Sequence, residues 1–215
     1  MSTMAATLTM TQYLAEIEYS ARNILEITWR DHDEAHRLAH EVNALTKATR
    51  AGYQRAGALA MNAEDADDVA MAAGAHWDTY FGIDKERHAA KGDYDELAGR
   101  LQARNFSTAS AAGAVLQHAK QGVSIVHGGP ASCPEGRMVT TSQSLKNLIW
   151  QGRNQAIHWE EGSLSQKVVD CFDALANEHY RGFADVYVRS LAFDVLRLLG
   201  WRNWEAFHDD LLSLG

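Results

Sequence analysis

An all-α fold is predicted by three features of this sequence. Apolar residues recur at three- and four-residue intervals along most of its length, proline is confined to Pro130 and Pro134, and strand-like stretches are scarce. Strong helix formers (Ala, Leu, Glu, Gln and Arg) dominate elsewhere. At 215 residues the chain is long enough to bury a substantial core, and a single all-helical domain over residues 1–215 is expected.

The first helix is expected from about Thr9 to Thr28, where Leu14, Ile17, Ala21, Ile24 and Leu25 share one face. A second, from about Asp33 to Leu59, carries Leu38, Val42, Leu45 and Thr49, with Gly52 and Gly57 loosening its end. Asn62 to Asp68 reads as an acidic connector or helix start. Val69 to Arg87, with Trp77, Tyr80 and Phe81, is a third helix, and Gly92-Asp93 marks the break after it. Leu97 and Leu101 open the next, which pauses near Asn105-Phe106-Ser107. Ser107 or Thr108 then caps a helix bearing Val115, Leu116, Ala119, Val123 and Val126.

Gly128-Gly129-Pro130 begins a loop that lasts to about Arg137. Thr141 or Ser142 starts a helix with Leu145, Leu148, Ile149, Gly152, Ala156 and Ile157, ending near Gly162. Ser163-Leu164-Ser165-Gln166 reads as a capping box for a helix through Val168, Phe172 and Leu175. Helices over Val186–Leu199 and Trp204–Leu214 complete the chain. The core, including the helix from Ser142 to Glu161, is expected over about 97–199.

Composition narrows the function classes. Cys133 and Cys171 make no disulfide framework, and the start of the chain lacks the basic-then-apolar pattern of a secretory signal, so a reducing cytoplasm is the expected compartment. No apolar run approaches the roughly 20 residues that cross a bilayer, and no membrane role is expected. A net charge of −8 argues against a broad electrostatic footprint for nucleic acid. A few cations gathered at one cleft would still attract an anion, because local field governs steering, and Lys146 and Arg153 are the candidates.

The residues that carry chemistry lie in Gly152-Arg153-Asn154-Gln155-Ala156-Ile157-His158. Asn154 and His158 are four apart and share a helix face, with the imidazole near the C-terminal end, where its cationic form is favoured. Arg153 lies five residues from His158, about 140° away on an ideal helix. One helix therefore supplies half a site, and a twofold axis would bring two histidines and two arginines around one cleft, with Gly152 allowing close approach. Such a set suits RNA cleavage by the ribose itself. A base takes the 2′-hydroxyl proton, the oxygen attacks phosphorus, and an acid protonates the leaving 5′-oxygen. Arginine supplies permanent charge and a donor fork for the phosphorane.

Arg153-Asn154-Gln155-Ala156-Ile157-His158 resembles the Arg-polar-x3-His motif of the HEPN superfamily. The resemblance covers one helix of about 20 residues and its all-helical setting. It implies a HEPN-type helical bundle with additional N- and C-terminal helices, and a homodimer formed through the motif helices. The activity implied is a metal-independent endoribonuclease with Arg153 and His158 catalytic and Asn154 in support. RNA is the implied substrate, no cofactor is needed, and toxin–antitoxin or antiphage defence is the implied setting, with an antitoxin or regulatory protein as a further partner. Where many toxin members carry tyrosine two residues after the histidine, this chain has Glu160.

Other patterns compete. Arg30-Asp31 with His36, and Arg202-Asn203 with His208, also fit the loose motif. Lys146, Trp150 and Trp159 are candidates for substrate binding, although tryptophans so placed also serve as core or dimer anchors. A structural reading pairs Arg153 with Glu160 or Glu161 and leaves His158 to cap the helix. In that reading the chain is a non-catalytic helical interaction module. His32, His36 and His40 recur every four residues along one side of a helix, the spacing at which paired histidines hold a divalent metal. The three span about 12 Å, so one ion reaches at most two of them.

Overall fold

Where two helices are expected before Met61, one forms. The computed structural model describes residues 8–103 and 105–215, and in it α1 runs unbroken over Met10–Met61. Trp29-Arg30-Asp31-His32 contains neither glycine nor proline, so nothing there stops the helical ladder. What fades is the apolar stripe. In its place Arg37 bridges Glu34 at 2.7 Å and Glu41 at 3.0 Å, the pairing that supports an exposed helix.

Asp65 opens α2 (Ala66–Thr79), its carboxylate accepting the amide protons of Asp67 and Asp68. The break expected at Gly92-Asp93 comes ten residues earlier. A wide π turn over Tyr80–Asp84, with Gly82 at φ −92°, ψ −106°, leads into α3 (Lys85–Ala103). The helical ladder widens at Gly82, whereas Gly92 stays helical beneath the Lys91–Asp95 ion pair at 2.7 Å.

α4 (Asn105–His127) contains Ser107 and Thr108 inside its first turn, so neither caps it; the residue before Asn105 lies outside the described residues. After the loop, Ser144 and not Thr141 or Ser142 caps α5 (Leu145–His158), its hydroxyl oxygen accepting from the Asn147 amide. α6 is Gln166–Glu178. Its cap, Ser165, makes no side-chain bond, and Gln166 turns forward to donate to Asp170 at 2.8 Å, so the capping box does not form. α7 is confined to Ala192–Leu199, and α8 is Trp204–Leu212. Among the described residues no strand forms, and Met138 and Ser144 make an isolated bridge. No helix among them is long and apolar enough to cross a membrane.

The described chain divides into two compact units, Arg30–Ala103 and the residues on either side of that segment. Within Arg30–Ala103 the buried apolar set is small, with Leu38, Ala56, Ala72, Ala90 and Leu97. Asp84 anchors it, accepting from the Tyr53 hydroxyl at 2.7 Å and from Arg87 at 2.8 Å, and these two partners hold its carboxyl below the usual value.

The other unit holds the large core. α5 lies against α4, α6 and α7, and Leu116, Leu148, Ile149, Phe172, Leu175 and Val195 are fully buried around it. Gly152 faces this core: a Cβ there would sit 3.1 Å from Val195 Cγ1 and 3.5 Å from Leu116 Cδ1. Its smallness therefore serves close packing within the chain and not approach to a second copy.

The loop between α4 and α5 is fastened at several points. Arg137 donates to both Asp210 oxygens at 2.7 Å and to the Leu199 carbonyl at 2.6 Å. Gly136 has φ +68°, and a Cβ there would lie 2.7 Å from Leu214 Cδ2. Gly136→Ala is expected to cost about 2 kcal/mol, from backbone strain and overpacking together, readable as a lowered thermal midpoint.

Glu178 ties down the loop's second half. Hydroxyls of Ser142, Thr141 and Thr140 hold its carboxyl down at about 2, and the Ser142 amide donates to it at 3.3 Å. A carboxyl depressed on folding contributes above its unfolded value near 4.5 and loses that contribution as pH falls toward 2. Protection of the Ser142 amide against exchange, taken relative to its intrinsic rate, is therefore expected to fall between those pH values in the wild type. In Glu178→Gln that protection is expected to be lost already at neutral pH.

Candidate functional site

α5 sorts its residues by helix phase. Gln155 points inward and is fully buried, while Trp150, Arg153, Asn154 and Ile157 lie on the outer side at three- and four-residue spacing. α4 runs antiparallel beside it. Gly113 approaches Ala156, Gln117 pairs with Arg153, and Lys120 lies over Trp150.

Arg153 is held by neutral groups. Its Nε–H donates to Gln117 Oε1 at 2.6 Å and Nη1 donates to Asn154 Oδ1 at 3.3 Å. Neither Glu160 nor Glu161 pairs with it, so its charge is positioned without being neutralised. The Lys120 ammonium sits 4.5 Å from the centre of the Trp150 ring. Burial, and after it the neighbouring Arg153 charge, draw this lysine below its ordinary value. Two cations thus stand close together where α4 meets α5, in a chain whose net charge is −8.

His158 ends α5 with its side chain 41% exposed. Its Nδ1 lies 2.8 Å from Glu161 Oε1. An ionised carboxylate only accepts, so Nδ1 carries the proton and Nε2 is the lone-pair nitrogen of the neutral ring. No hydrogen bond or ion pair within the chain joins His158 to Arg153 or Asn154. One copy of α5 supplies the groups but does not assemble them: Arg153 and His158 lie apart as their angular separation implies, and Asn154, although it shares a face with His158, bonds to Arg153 instead.

The three residues expected to bind substrate fall in two places. Trp150 and Lys146 line a cavity of about 590 Å³ with Asn147, Gln151 and Lys167. Lys146 is committed there to Glu135 and to the Cys133 carbonyl, so its charge serves the loop. Trp159 lines a separate groove of about 360 Å³ with Gly113, Gln117, Glu160 and two exposed apolar residues, Phe106 and Ile157.

The rival motifs have other engagements. Arg30 pairs with Asp31, Arg202 lies over Trp29 at 4.6 Å, and His208 Nδ1 lies 3.1 Å from Asp209. The His36 and His40 rings are tilted against each other with centres 4.7 Å apart. Among the described residues no three His, Cys, Asp or Glu side chains are arranged to hold a metal ion. Cys133 and Cys171 are both buried as free thiols.

Gln117, Lys120, Glu161 and Lys167 have no place in the sequence motif. Glu161 alone has a local signal, being three residues after His158. Gln117 and Lys120 reach the site from another helix, through a pairing that no short-range pattern announces. Compared with models of protein families, with curated proteins and with solved structures, the chain matches none.

Proposed function

We propose that this chain is a metal-independent endoribonuclease of HEPN type that works as a homodimer, the two α5 helices completing one site. The observation that carries the reading is Arg153, half-buried and oriented by amide oxygens alone, with Lys120 beside it and His158 on the same helix. A cation so placed has its charge left for an anion brought from outside. Cleavage then runs by attack of the ribose 2′-oxygen on phosphorus. One His158 accepts the 2′-hydroxyl proton at Nε2, and the second, protonated, gives its proton to the departing 5′-oxygen. Arg153 stabilises the charge that develops on the phosphorane, and Asn154 fixes the guanidinium plane.

Exposed Phe106 and Ile157 favour the same groove side as the dimer face, since apolar residues flanking small ones admit a second helix. A non-catalytic interaction module would use that face equally, and chemistry separates the two readings. RNA incubated with the purified protein in EDTA is expected to yield fragments with 2′,3′-cyclic phosphate or 3′-phosphate ends and new 5′-hydroxyls. RNA left intact under those conditions sinks the ribonuclease.

A further inference from the structure

Beside Trp150 lies a second feature that cleavage chemistry does not use. Asn147 and Gln151 line the cavity wall, and with Gln143, one turn earlier, they form a ladder of amides at four-residue spacing. Asn147 Nδ2 donates to Gln143 Oε1 at 2.6 Å, Gln151 Nε2 donates to Asn147 Oδ1 at 3.3 Å, and Gln143 Nε2 ends the chain on Ser142 Oγ at 2.9 Å. Gln143 and Gln151 are each only 7% exposed. Such a ladder fixes which atom of each amide faces which way, and it leaves the Gln151 carbonyl oxygen without a donor among the described residues. Two lysines flank it: Lys120 over the Trp150 ring, and Lys167 on the cavity rim, with no carboxylate partner among the described residues.

We infer that this cavity is a nucleotide-binding subsite that takes one base of single-stranded RNA against Trp150, next to the bond cleaved at Arg153. The inference rests on the ribonuclease reading for the identity of the strand. The chemistry matches in three respects. The indole that lines the cavity offers a base an aromatic contact that does not depend on sequence, pre-oriented amides meet donors on the base edge, and Lys120 over the indole and Lys167 on the rim meet the adjoining phosphates. A volume of about 590 Å³ is ample for one nucleotide. The link to the scissile position is short, because Trp150 and Arg153 are three residues apart on α5 and their partners Lys120 and Gln117 are three apart on α4.

The test uses 2′-O-methyl RNA, which binds but cannot be cleaved, and reads affinity by fluorescence anisotropy on the full-length protein. Trp150→Leu is expected to weaken binding about tenfold, with Trp150→Phe restoring most of it. Single abasic positions walked along the oligomer are expected to include one that costs the wild type about as much and costs Trp150→Leu nothing. Since Trp150 also touches the core, the exposed Lys167→Ala provides an independent arm: it is expected to lower the salt slope of log K by about 0.7, the share of a single neutralised phosphate on a single strand. Equal affinity of wild type, Trp150→Leu and Lys167→Ala overturns the subsite. Wild-type protein that binds this oligomer through Trp150 yet leaves ordinary RNA intact overturns the ribonuclease and keeps the subsite.

Discussion

Arg153→Ala and His158→Ala are each expected to lower the rate of RNA cleavage in EDTA by roughly 10²- to 10⁴-fold, the range for losing an oriented charge or a general acid–base group. The two losses have different signatures. Removing His158 takes away the proton carrier, so the pH dependence flattens along with the rate. Removing Arg153 leaves proton transfer in place and withdraws charge from the phosphorane, so the rate falls while the shape of the pH profile persists. Neither substitution is expected to unfold the protein, since both side chains lie on the outer side of α5 and bond only to other polar side chains. Residual cleavage equal to wild type in both variants would place the activity elsewhere or in a contaminant.

Gln155→Leu is expected to be the most damaging substitution for stability, although it lies between the two catalytic candidates. Gln155 is fully buried, and its Nε2 donates to the carbonyls of Val186 and Arg189 at 2.9 and 2.8 Å. Its Oε1 accepts the Leu191 amide at 2.8 Å. Three backbone groups of the segment before α7 are thus satisfied by one side chain. Leucine fills similar volume but leaves all three unpaired in the interior, at about 1–3 kcal/mol for each that water does not reach. A total of ~4 kcal/mol lowers the thermal midpoint by about 10 °C for a chain of this size. The Leu191 amide, hydrogen-bonded to Gln155 in the wild type, is expected to exchange far faster in the variant. An unchanged midpoint would mean that the 186–191 segment holds its shape by other contacts.

This residue marks what can be read from the sequence and what cannot. Leu145, Leu148 and Ile149 announce an amphipathic helix, and its inward residues are those expected from spacing. Gln155 reads in sequence as one of three spacers between Asn154 and His158, because its partners lie 31 to 36 residues away. The same long-range bonds explain why Val186 to Leu191 is not helical despite its apolar pattern: the carbonyls a helix would use are already occupied. At α1 the discrepancy runs the other way, since a fading apolar stripe reads as a break although no residue there disfavours the ladder. At Gly82 the break depends on a backbone departure in a glycine that looks no different in sequence from Gly92. Arg153 and His158 are legible as types, but the partner that orients Arg153 is not. Gln117 comes from α4, and Glu161, which by sequence competes with Glu160 for Arg153, bonds to His158 instead.

The two buried thiols bear on how the proposed dimer can be measured. Burial pushes Cys171 up to about 12 and raises Cys133 as well, so at neutral pH almost none of either is thiolate, the form that reacts with alkylating reagents. A cysteine introduced at Leu212, exposed and outside the groove that Phe106 and Ile157 flank, would therefore take a maleimide spin label selectively, without removal of the native pair. A pair of labels on a twofold-related face reports its separation by dipolar spectroscopy, and a monomer gives no dipolar signal at all. The wild-type chain thus carries its own blank background for that measurement.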